Sequence, residues 1–214
     1  MTTMPSSRPD AGSIALQGAE LRDPAQSGLP AYTGLMTVAA NPHLMSLAEW
    51  RALGEDTVGR SELQEGVRIV SPRPGIAHMD AVYELWMQLR EQMPNGFRTV
   101  AEVDVVVDPQ TPATVRAPDL VVYKSGASAP LPAADVVVVI EILSPGTRRV
   151  DRVTKRSEYA DAGIRAYWIV DLDGPRLTEL TLAGGEYSAK EHVGEFTTTV
   201  PFGLRIDLTT LTRS

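Results

Sequence analysis

The sequence predicts a mixed α/β (α+β) domain, in which parallel and antiparallel strands form a sheet flanked by helices. Residues 136–143 form an almost continuous apolar run broken only by Glu141, which is typical of a central strand buried on both faces. A helical segment at 151–162 and a strand at 166–170 follow, and this order predicts two parallel neighbouring strands. Hairpin patterns lie on both sides of this unit and predict antiparallel pairs. The sheet should therefore be mixed.

The bulk composition indicates one globular domain. The chain has 214 residues, of which 43% are hydrophobic and 22% charged. Residues 1–44 are rich in Pro, Gly, Ser and Ala and have no sustained period, so we expect a disordered or extended tail before a single domain at 45–214. The absence of cysteine excludes disulfides and zinc–cysteine sites. No apolar run is long enough to cross a membrane, and the sequence favours a cytoplasmic protein.

The first elements of the domain are predicted from capping and turn residues. Ser46 and Glu49 have the spacing of a capping box that opens a short helix. Residues 62–70 alternate around Gly66 and predict a β-hairpin at the N-terminal side of the domain. Residues 76–93 predict a helix, with apolar residues at helical spacing. These apolar positions are Met79, Val82, Tyr83, Trp86, Met87 and Leu89.

Strands account for most of the remaining chain. Residues 98–107 alternate between apolar and acidic or polar positions and predict one strand, and residues 119–123 predict a short apolar strand. After the 166–170 strand, Asp173 and Gly174 predict a hairpin turn. Weaker strand patterns at 176–182 and 187–193 then complete the expected sheet.

Two carboxylates give the first indication of chemistry. Glu141 ends a buried strand, and Asp119 opens a short strand that is a candidate neighbour of the Glu141 strand. Oxygen ligands from adjacent strands suit Mg²⁺ or Mn²⁺, which can neutralise a phosphate and activate a water molecule. The alternatives are a structural ion pair at Glu141 and an ordinary Pro-Asp turn at Asp119.

Basic residues follow Glu141 on the next helix. Asp151, Lys155 and Tyr159 share one helical face, so Lys155 could orient the attacking water or stabilise charge on a phosphate. An Asp151–Lys155 helix pair is the alternative. The chain carries a net charge of −7, which is unusual for a nucleic-acid binder, but residues 148–156 contain five basic residues and one acid. The alternative is a solvated helix face, which is the commoner explanation for a basic run taken alone.

Taken together, these motifs resemble the Uma-two family. The resemblance is carried by Pro118-Asp119, by the segment Glu141 to Pro145, and by Lys155 with Tyr167 to Asp171, and it covers roughly residues 44–182. Such a resemblance implies the restriction-endonuclease-like fold and a PD-(D/E)XK type of site. Asp119 and Glu141 would be metal ligands for Mg²⁺ or Mn²⁺. Leu143 stands where that pattern has lysine, so Lys155 would take over the basic role.

The resemblance also extends to residues around the expected centre. Glu62 matches a family glutamate and would add an outer carboxylate to the catalytic set. His78 also matches, although a histidine at a helix start is more often structural. Contacts to phosphate or DNA are expected from Ser144, Arg148, Arg149, Arg152 and Tyr159.

The function implied is a metal-dependent endonuclease that hydrolyses DNA, with a homodimer expected because two strands need two sites. Two other functions stay open at this point. One is a catalytically inactive nuclease-fold module that serves in binding or assembly, which the acidic balance favours. The other is an RNase or small-substrate phosphodiesterase that uses the same ligands, because a fold does not specify its substrate.

Overall fold

The computed structural model describes residues 43–54, 59–144 and 150–212. Residues 1–42, which make up most of the expected tail, lie outside these ranges. The helices are α1 (Leu47–Ala52), α2 (Ile76–Gln92) and α3 (Lys155–Asp161). The strands are β1 (Arg60–Gln64), β2 (Val67–Ser71), β3 (Phe97–Ala101), β4 (Val105–Asp108), β5 (Thr114–Arg116), β6 (Leu120–Lys124), β7 (Leu131–Pro132), β8 (Val136–Ile142), β9 (Ala166–Asp171), β10 (Arg176–Ala183), β11 (Glu186–Val193), β12 (Glu195–Thr198) and β13 (Leu204–Asp207).

A six-stranded mixed sheet lies at the centre of the domain, in the order β11-β10-β9-β8-β6-β3. The strands β8 and β9 are parallel, and every other neighbouring pair in this sheet is antiparallel. This arrangement confirms the predicted mixed sheet and the parallel strands on either side of α3. All seven residues of β8 are buried, as expected for a strand covered on both faces.

Side chains of β8 alternate between two hydrophobic clusters. Val138, Ile140 and Ile142 face the cluster that contains α2 and the β12–β13 pair. Val139 and Leu143 face the cluster that contains Tyr159 of α3. Because successive strand residues point to opposite faces, Glu141 points toward α3. The alternation therefore places one carboxylate under the helix that follows its strand.

A second sheet of five strands, in the order β2-β1-β5-β4-β7, contains the predicted hairpin. In the turn between β1 and β2, Glu65 and Gly66 both have positive φ. At Gly66 only glycine adopts this angle without strain. A Cβ at Gly66 would lie 2.9 Å from the backbone nitrogen of Met45 and 2.8 Å from the Leu44 side chain. The hairpin tip is therefore packed directly against the segment that leads into α1.

The capping box is present as predicted. Ser46 Oγ accepts from the Glu49 backbone N–H, and the Glu49 carboxylate accepts from the Ser46 backbone N–H at 2.8 Å. These bonds satisfy amide groups that a helix start leaves without intrahelical partners. They fix α1 so that Trp50 packs with Leu63 of β1 in a third, smaller cluster.

The single strand predicted at 98–107 is wrong, because two strands in different sheets occupy this segment. Glu102 has a φ of 51°, and this left-handed residue turns the chain between β3 and β4. Its amide donates to the carbonyl of Asp119 at 3.3 Å. As a result β3 pairs with β6, whereas β4 pairs with β5.

Two further details differ from the sequence prediction. The helix at 76–93 is present, but it buries Ala81, Val82, Leu85 and Leu89. Tyr83 and Met87, assigned to the apolar face, are 57% and 48% exposed. The expected helix at 151–162 begins with a π-helical turn, Val150–Thr154, which is followed by α3. The β12–β13 pair was not predicted from the sequence.

Candidate active site

Asp119 directly precedes β6, and Glu141 lies on β8, the antiparallel neighbour of β6 at the middle of the central sheet. Leu120 pairs with Ile140, so Asp119 lies beside Glu141 across the ladder. Asp119 Oδ2 accepts from the Ile142 backbone N–H at 2.7 Å, which fixes its carboxylate against the end of β8. Each of the two residues is only 3% exposed. The expected pairing of the two carboxylates is therefore present in the structure.

Arg60, the first residue of β1, reaches both carboxylates. Its Nη1 donates to Asp119 Oδ1 at 2.6 Å, and its Nη2 lies 3.9 Å from Glu141 Oε2. Its side chain is 18% exposed, so the guanidinium covers the solvent-facing side of the two carboxylates. Arg60 has no signal in the sequence, because it lies far from both acids along the chain and on a strand of the other sheet.

Lys155 is held among three carboxylates. Its Nζ lies 2.8 Å from Glu141 Oε1, 3.1 Å from Glu62 Oε1 and 3.4 Å from Asp151 Oδ1. Lys155 itself is 4% exposed. A lysine ammonium has three donors, so these contacts match its full capacity. Lys155 thus joins β1, β8 and the helical turn before α3 through one buried charge.

Arg116 forms a second buried basic contact that the sequence did not reveal. Its guanidinium donates from Nε and Nη2 to the two carboxylate oxygens of Glu158, at 2.7 and 2.6 Å. Nη1 donates to Glu62 Oε2 at 3.0 Å, and the Ala117 backbone N–H donates to Glu62 Oε1 at 3.1 Å. Arg116 therefore fixes the orientation of Glu62 toward Lys155.

The pKa shifts follow from burial opposed by these partners. Burial raises the pKa of Glu141, and the neighbouring Asp119 carboxylate acts in the same direction against the Lys155 charge. Burial also tends to raise the pKa of Asp119, but the contacts from His78 and Arg60 lower it below its ordinary value. Burial alone would lower the pKa of Lys155, yet the surrounding carboxylates raise it, so its ammonium stays charged at neutral pH.

His78 and Tyr159 also contact the acidic pair. His78 lies on α2, and its Nε2 is 3.2 Å from Asp119 Oδ1. The expected site residue with the weakest sequence signal therefore does reach the centre. Tyr159 donates from its hydroxyl to Glu141 Oε1 at 3.2 Å and is fully buried. A phosphate contact was expected from Tyr159, but this burial directs its hydroxyl to Glu141 instead.

The remaining residues expected to contact phosphate lie around this centre. Ser144 is partly exposed, two residues beyond the end of β8. Arg152 is half-exposed, and its Nη2 lies 3.5 Å from Asp171 Oδ2. Arg156 of the same basic run donates to the Tyr187 carbonyl at 2.8 Å. Arg148 and Arg149 lie outside the residues that the structure describes.

The donor set suits a hard divalent cation. Asp119 Oδ1 and Glu141 Oε2 both face the Arg60 guanidinium, so these two oxygen atoms together stabilise a positive charge beside them. In the described ranges, no group of three or more His, Cys, Asp or Glu side chains has the arrangement of a metal site. A site here would use two carboxylates, completed by water and substrate oxygens, which is a common arrangement for Mg²⁺.

Comparison with known proteins identifies the fold. A putative nuclease belonging to DUF820 from Anabaena variabilis superposes with a TM-score of 0.61 and 18% identity, over 78% of this chain and 97% of the other. At this identity the likeness shows the fold, which is the restriction-endonuclease-like one. No functionally curated protein matches the chain. None of the helices in the described segments is long and apolar enough to span a bilayer.

The family assignment rests on a match that covers most of the domain. The sequence model of the Uma2 family, described as "Putative restriction endonuclease", matches residues 47–210. This range begins at the first residue of α1 and extends beyond β13, and it includes every described residue of the candidate site. Both the family and the fold support a nuclease. The chain therefore belongs to the Uma2 family of restriction-endonuclease-like proteins.

Proposed function

We propose that this protein is a divalent-metal-dependent endonuclease that hydrolyses DNA phosphodiester bonds. The observation that carries the proposal is the Asp119–Glu141 pair, two buried carboxylates on adjacent strands with a cationic group, Arg60, between them. Proteins bury such carboxylates with a cation or a metal, because an unpaired buried charge is costly. The family and the fold support a nuclease, and the Asp119–Glu141 carboxylate pair supports the proposed metal dependence.

In this proposal Asp119 and Glu141 hold the metal, which is Mg²⁺ or Mn²⁺. When bound there, such an ion would neutralise charge on the scissile phosphate and lower the pKa of a water molecule. Asp119 is pre-oriented by the Ile142 amide, and Glu141 by Lys155 and Tyr159. Little reorganisation of the two carboxylates is then needed on binding, which favours catalysis by a fixed electrostatic environment.

Lys155 and Glu62 act around this pair. The contacts of the Lys155 ammonium are to carboxylates, so its first role is to position Glu141. Glu62 holds the opposite side of the same ammonium and is itself fixed by Arg116. Lys155 can orient a water molecule toward phosphorus only by exchanging one of these contacts, and Asp151 provides the longest of them. Of the peripheral residues, Ser144 and Arg152 are proposed to contact phosphate.

The test is cleavage of supercoiled plasmid and single-stranded DNA with Mg²⁺ or Mn²⁺. We expect Glu141→Gln and Lys155→Ala to abolish nicking, whereas the matched control Glu186→Gln, at an exposed strand position, keeps wild-type activity. Equal cleavage by all four proteins would indicate contamination. A clean preparation that binds metal through Glu141 but cuts no DNA would move the proposal to RNA or to small phosphodiesters, which the same assay can test.

Two further expectations belong to this proposal. Homodimer formation would allow both strands of a duplex to be cut, and it is tested by light scattering with and without duplex DNA. A cytoplasmic location is consistent with a chain that contains no cysteine. It is tested by cell fractionation with an antibody to the native protein.

A non-cleaving binding or assembly module is the second candidate. Leu143 stands where a PD-(D/E)XK site has lysine, and the Arg60 guanidinium already compensates both acidic side chains. This candidate predicts that divalent cations bind weakly and that Asp119→Ala leaves their binding unchanged. Tight cation binding that is lost in Asp119→Ala would exclude it.

A further inference from the structure

An open groove with a volume of about 1380 Å³ runs from the end of α1 past the β1–β2 hairpin to the candidate site. Among the described residues, four arginines line it, against one glutamate and one aspartate. These charged residues are Arg51, Arg60, Arg68, Arg73, Glu102 and Asp104. A groove whose described charged residues are mainly arginine is unexpected in a chain with a net charge of −7. The total charge therefore conceals a local basic surface.

The arginines of this groove are available to a ligand to different degrees. Arg51 and Arg73 are exposed, and neither forms an ion pair with any residue in the described part of the chain. Arg68 is exposed on β2 and donates from Nε to Ser61 Oγ at 3.0 Å. Arg60 is the innermost of the four and contacts Asp119. The row thus begins at the surface and ends at the acidic pair.

Apolar side chains share the groove with the arginines. Leu53, Met79, Val103 and Pro130 contribute to its lining, together with the backbone of Gly54 and Gly59. Leu53 is 49% exposed, although a leucine of this size is more often buried. A surface that combines guanidinium groups with apolar side chains suits a ligand that carries both anions and flat apolar groups.

We propose that this groove is the path by which a nucleic-acid strand reaches Asp119 and Glu141, with Arg51, Arg68 and Arg73 on its phosphates. The inference rests on the proposed nuclease function and names the surface that selects its substrate. Guanidinium groups bind phosphate oxygens in a bidentate geometry, and phosphate contacts supply most of the affinity for nucleic acid. Arg152, proposed above to contact phosphate near the site, also contacts Asp171, and Arg156 donates to the Tyr187 carbonyl, so the groove arginines would carry most of the phosphate contacts.

The test measures binding, not cleavage, so that it does not depend on catalysis. Fluorescently labelled single-stranded and double-stranded DNA are titrated with the full chain in EDTA, at several salt concentrations. The groove variant is Arg51→Glu with Arg73→Glu. Its matched control is Arg98→Glu with Arg165→Glu, which changes the net charge equally at two exposed arginines outside the groove lining. Thermal unfolding of both variants confirms that they fold.

We expect the groove variant to bind at least about tenfold more weakly, with a salt dependence reduced by roughly one for each phosphate contact removed. The control variant should differ little from wild type. Tighter binding of the single-stranded or of the double-stranded probe shows whether a single strand or a duplex occupies the groove. Equal weakening of both variants would mean that only net charge matters, and it would overturn the proposal, as would the absence of binding to either probe.

The two proposals can fail separately. Wild-type protein that cleaves DNA, with a groove variant that binds as tightly as wild type, would leave the nuclease intact and refute the groove. Selective loss of binding in the groove variant, in a protein that never cleaves, would support the groove. That result would favour the non-cleaving module as the function.

Discussion

Arg60 Nη1 lies 2.6 Å from Asp119 Oδ1, although Arg60 begins a strand of the five-stranded sheet and Asp119 directly precedes a strand of the six-stranded sheet. The same guanidinium approaches Glu141, so one arginine from the hairpin compensates both carboxylates of the candidate metal site. A divalent cation and this guanidinium would compete for the same oxygen atoms. We therefore expect Arg60 to weaken metal binding at this pair.

Replacing Arg60 with glutamine should increase the affinity for Mn²⁺. Removing a like charge a few ångströms from a bound cation is worth on the order of 1 kcal/mol or more, which is roughly a fivefold change in Kd. Isothermal titration calorimetry measures the change. Arg73→Gln, which removes the same charge at the outer end of the groove, is the control and should leave the affinity unchanged. Unaltered Mn²⁺ binding in Arg60→Gln would show that the arginine does not compete with metal.

Replacing Lys155 with methionine should destabilise the fold strongly. The change leaves Glu141, Glu62 and Asp151 without their shared ammonium, and uncompensated buried charge costs about 3–5 kcal/mol. Urea unfolding of Lys155→Met measures the loss. Lys124→Ala is the comparison, because Lys124 is 54% exposed and pairs with Asp135 at 3.7 Å, so its removal should cost about 1 kcal/mol or less.

Combining Lys155→Met with Glu141→Gln should recover part of this loss. The double variant removes one charge of each sign, so the remaining buried charge is smaller than in Lys155→Met alone. If Lys155→Met does not fold, the double variant still provides a measurable protein. A double variant less stable than the lysine variant would contradict the view that charge compensation, and not packing, is the main contribution of Lys155.

Replacing Asp104 with asparagine should increase the free energy of unfolding, relative to wild type, more at neutral pH than at low pH. Burial raises the pKa of Asp104 above its ordinary value of 3.8, against the effect of the bond that Trp50 Nε1 donates at 2.8 Å. The folded state then binds this proton more tightly, so wild-type stability decreases as pH rises from 3.8 through the raised pKa. Asparagine keeps an acceptor for Trp50 and lacks the titration. Unfolding curves at several pH values should show the difference growing across that interval and then remaining constant.

Replacing Gly66 with alanine should cost more than the same change at Gly163. Both glycines have nearly the same positive φ, 77° and 75°, so the backbone strain is matched. A Cβ at Gly66 would lie 2.9 Å from Met45 N, whereas one at Gly163 meets nothing within 4 Å. We expect about 1 kcal/mol for Gly163→Ala and roughly 1–3 kcal/mol more for Gly66→Ala, measured by thermal unfolding. Equal losses would mean that the Met45 segment moves away freely.

The acidic half of the site could be predicted from the sequence, and the basic half could not. Glu141 stands out because it interrupts an apolar strand, and Asp119 because it opens the next candidate strand. Arg60 and Arg116 have no such signal. Their partners lie on other elements far along the chain, and Arg116 is 1% exposed in a segment whose neighbours do not suggest burial. Only the assembled sheets show which acids these two arginines meet.

The fold prediction failed where one residue changes the backbone direction. Alternation continues through Val103 and Val105, and this pattern alone supports a single strand. The left-handed Glu102 ends that strand and sends the following residues into another sheet. Positive φ is rare for glutamate, so no propensity argument identifies it. The capping box of α1 and the parallel β8–β9 pair were predicted correctly, because both depend on neighbouring or regularly spaced residues.

The three-way contact of Lys155 has a consequence for how this protein is made. Glu62 leaves the ribosome early, Glu141 and Asp151 much later, and Lys155 after all three, and the Lys155 ammonium contacts these three carboxylates. A nascent chain that ends just before α3 has all three acidic groups but not the cation that orients them. The centre is therefore incomplete in any chain that ends before Lys155. Unfinished copies of this protein that stop short of α3 would lack the complete site.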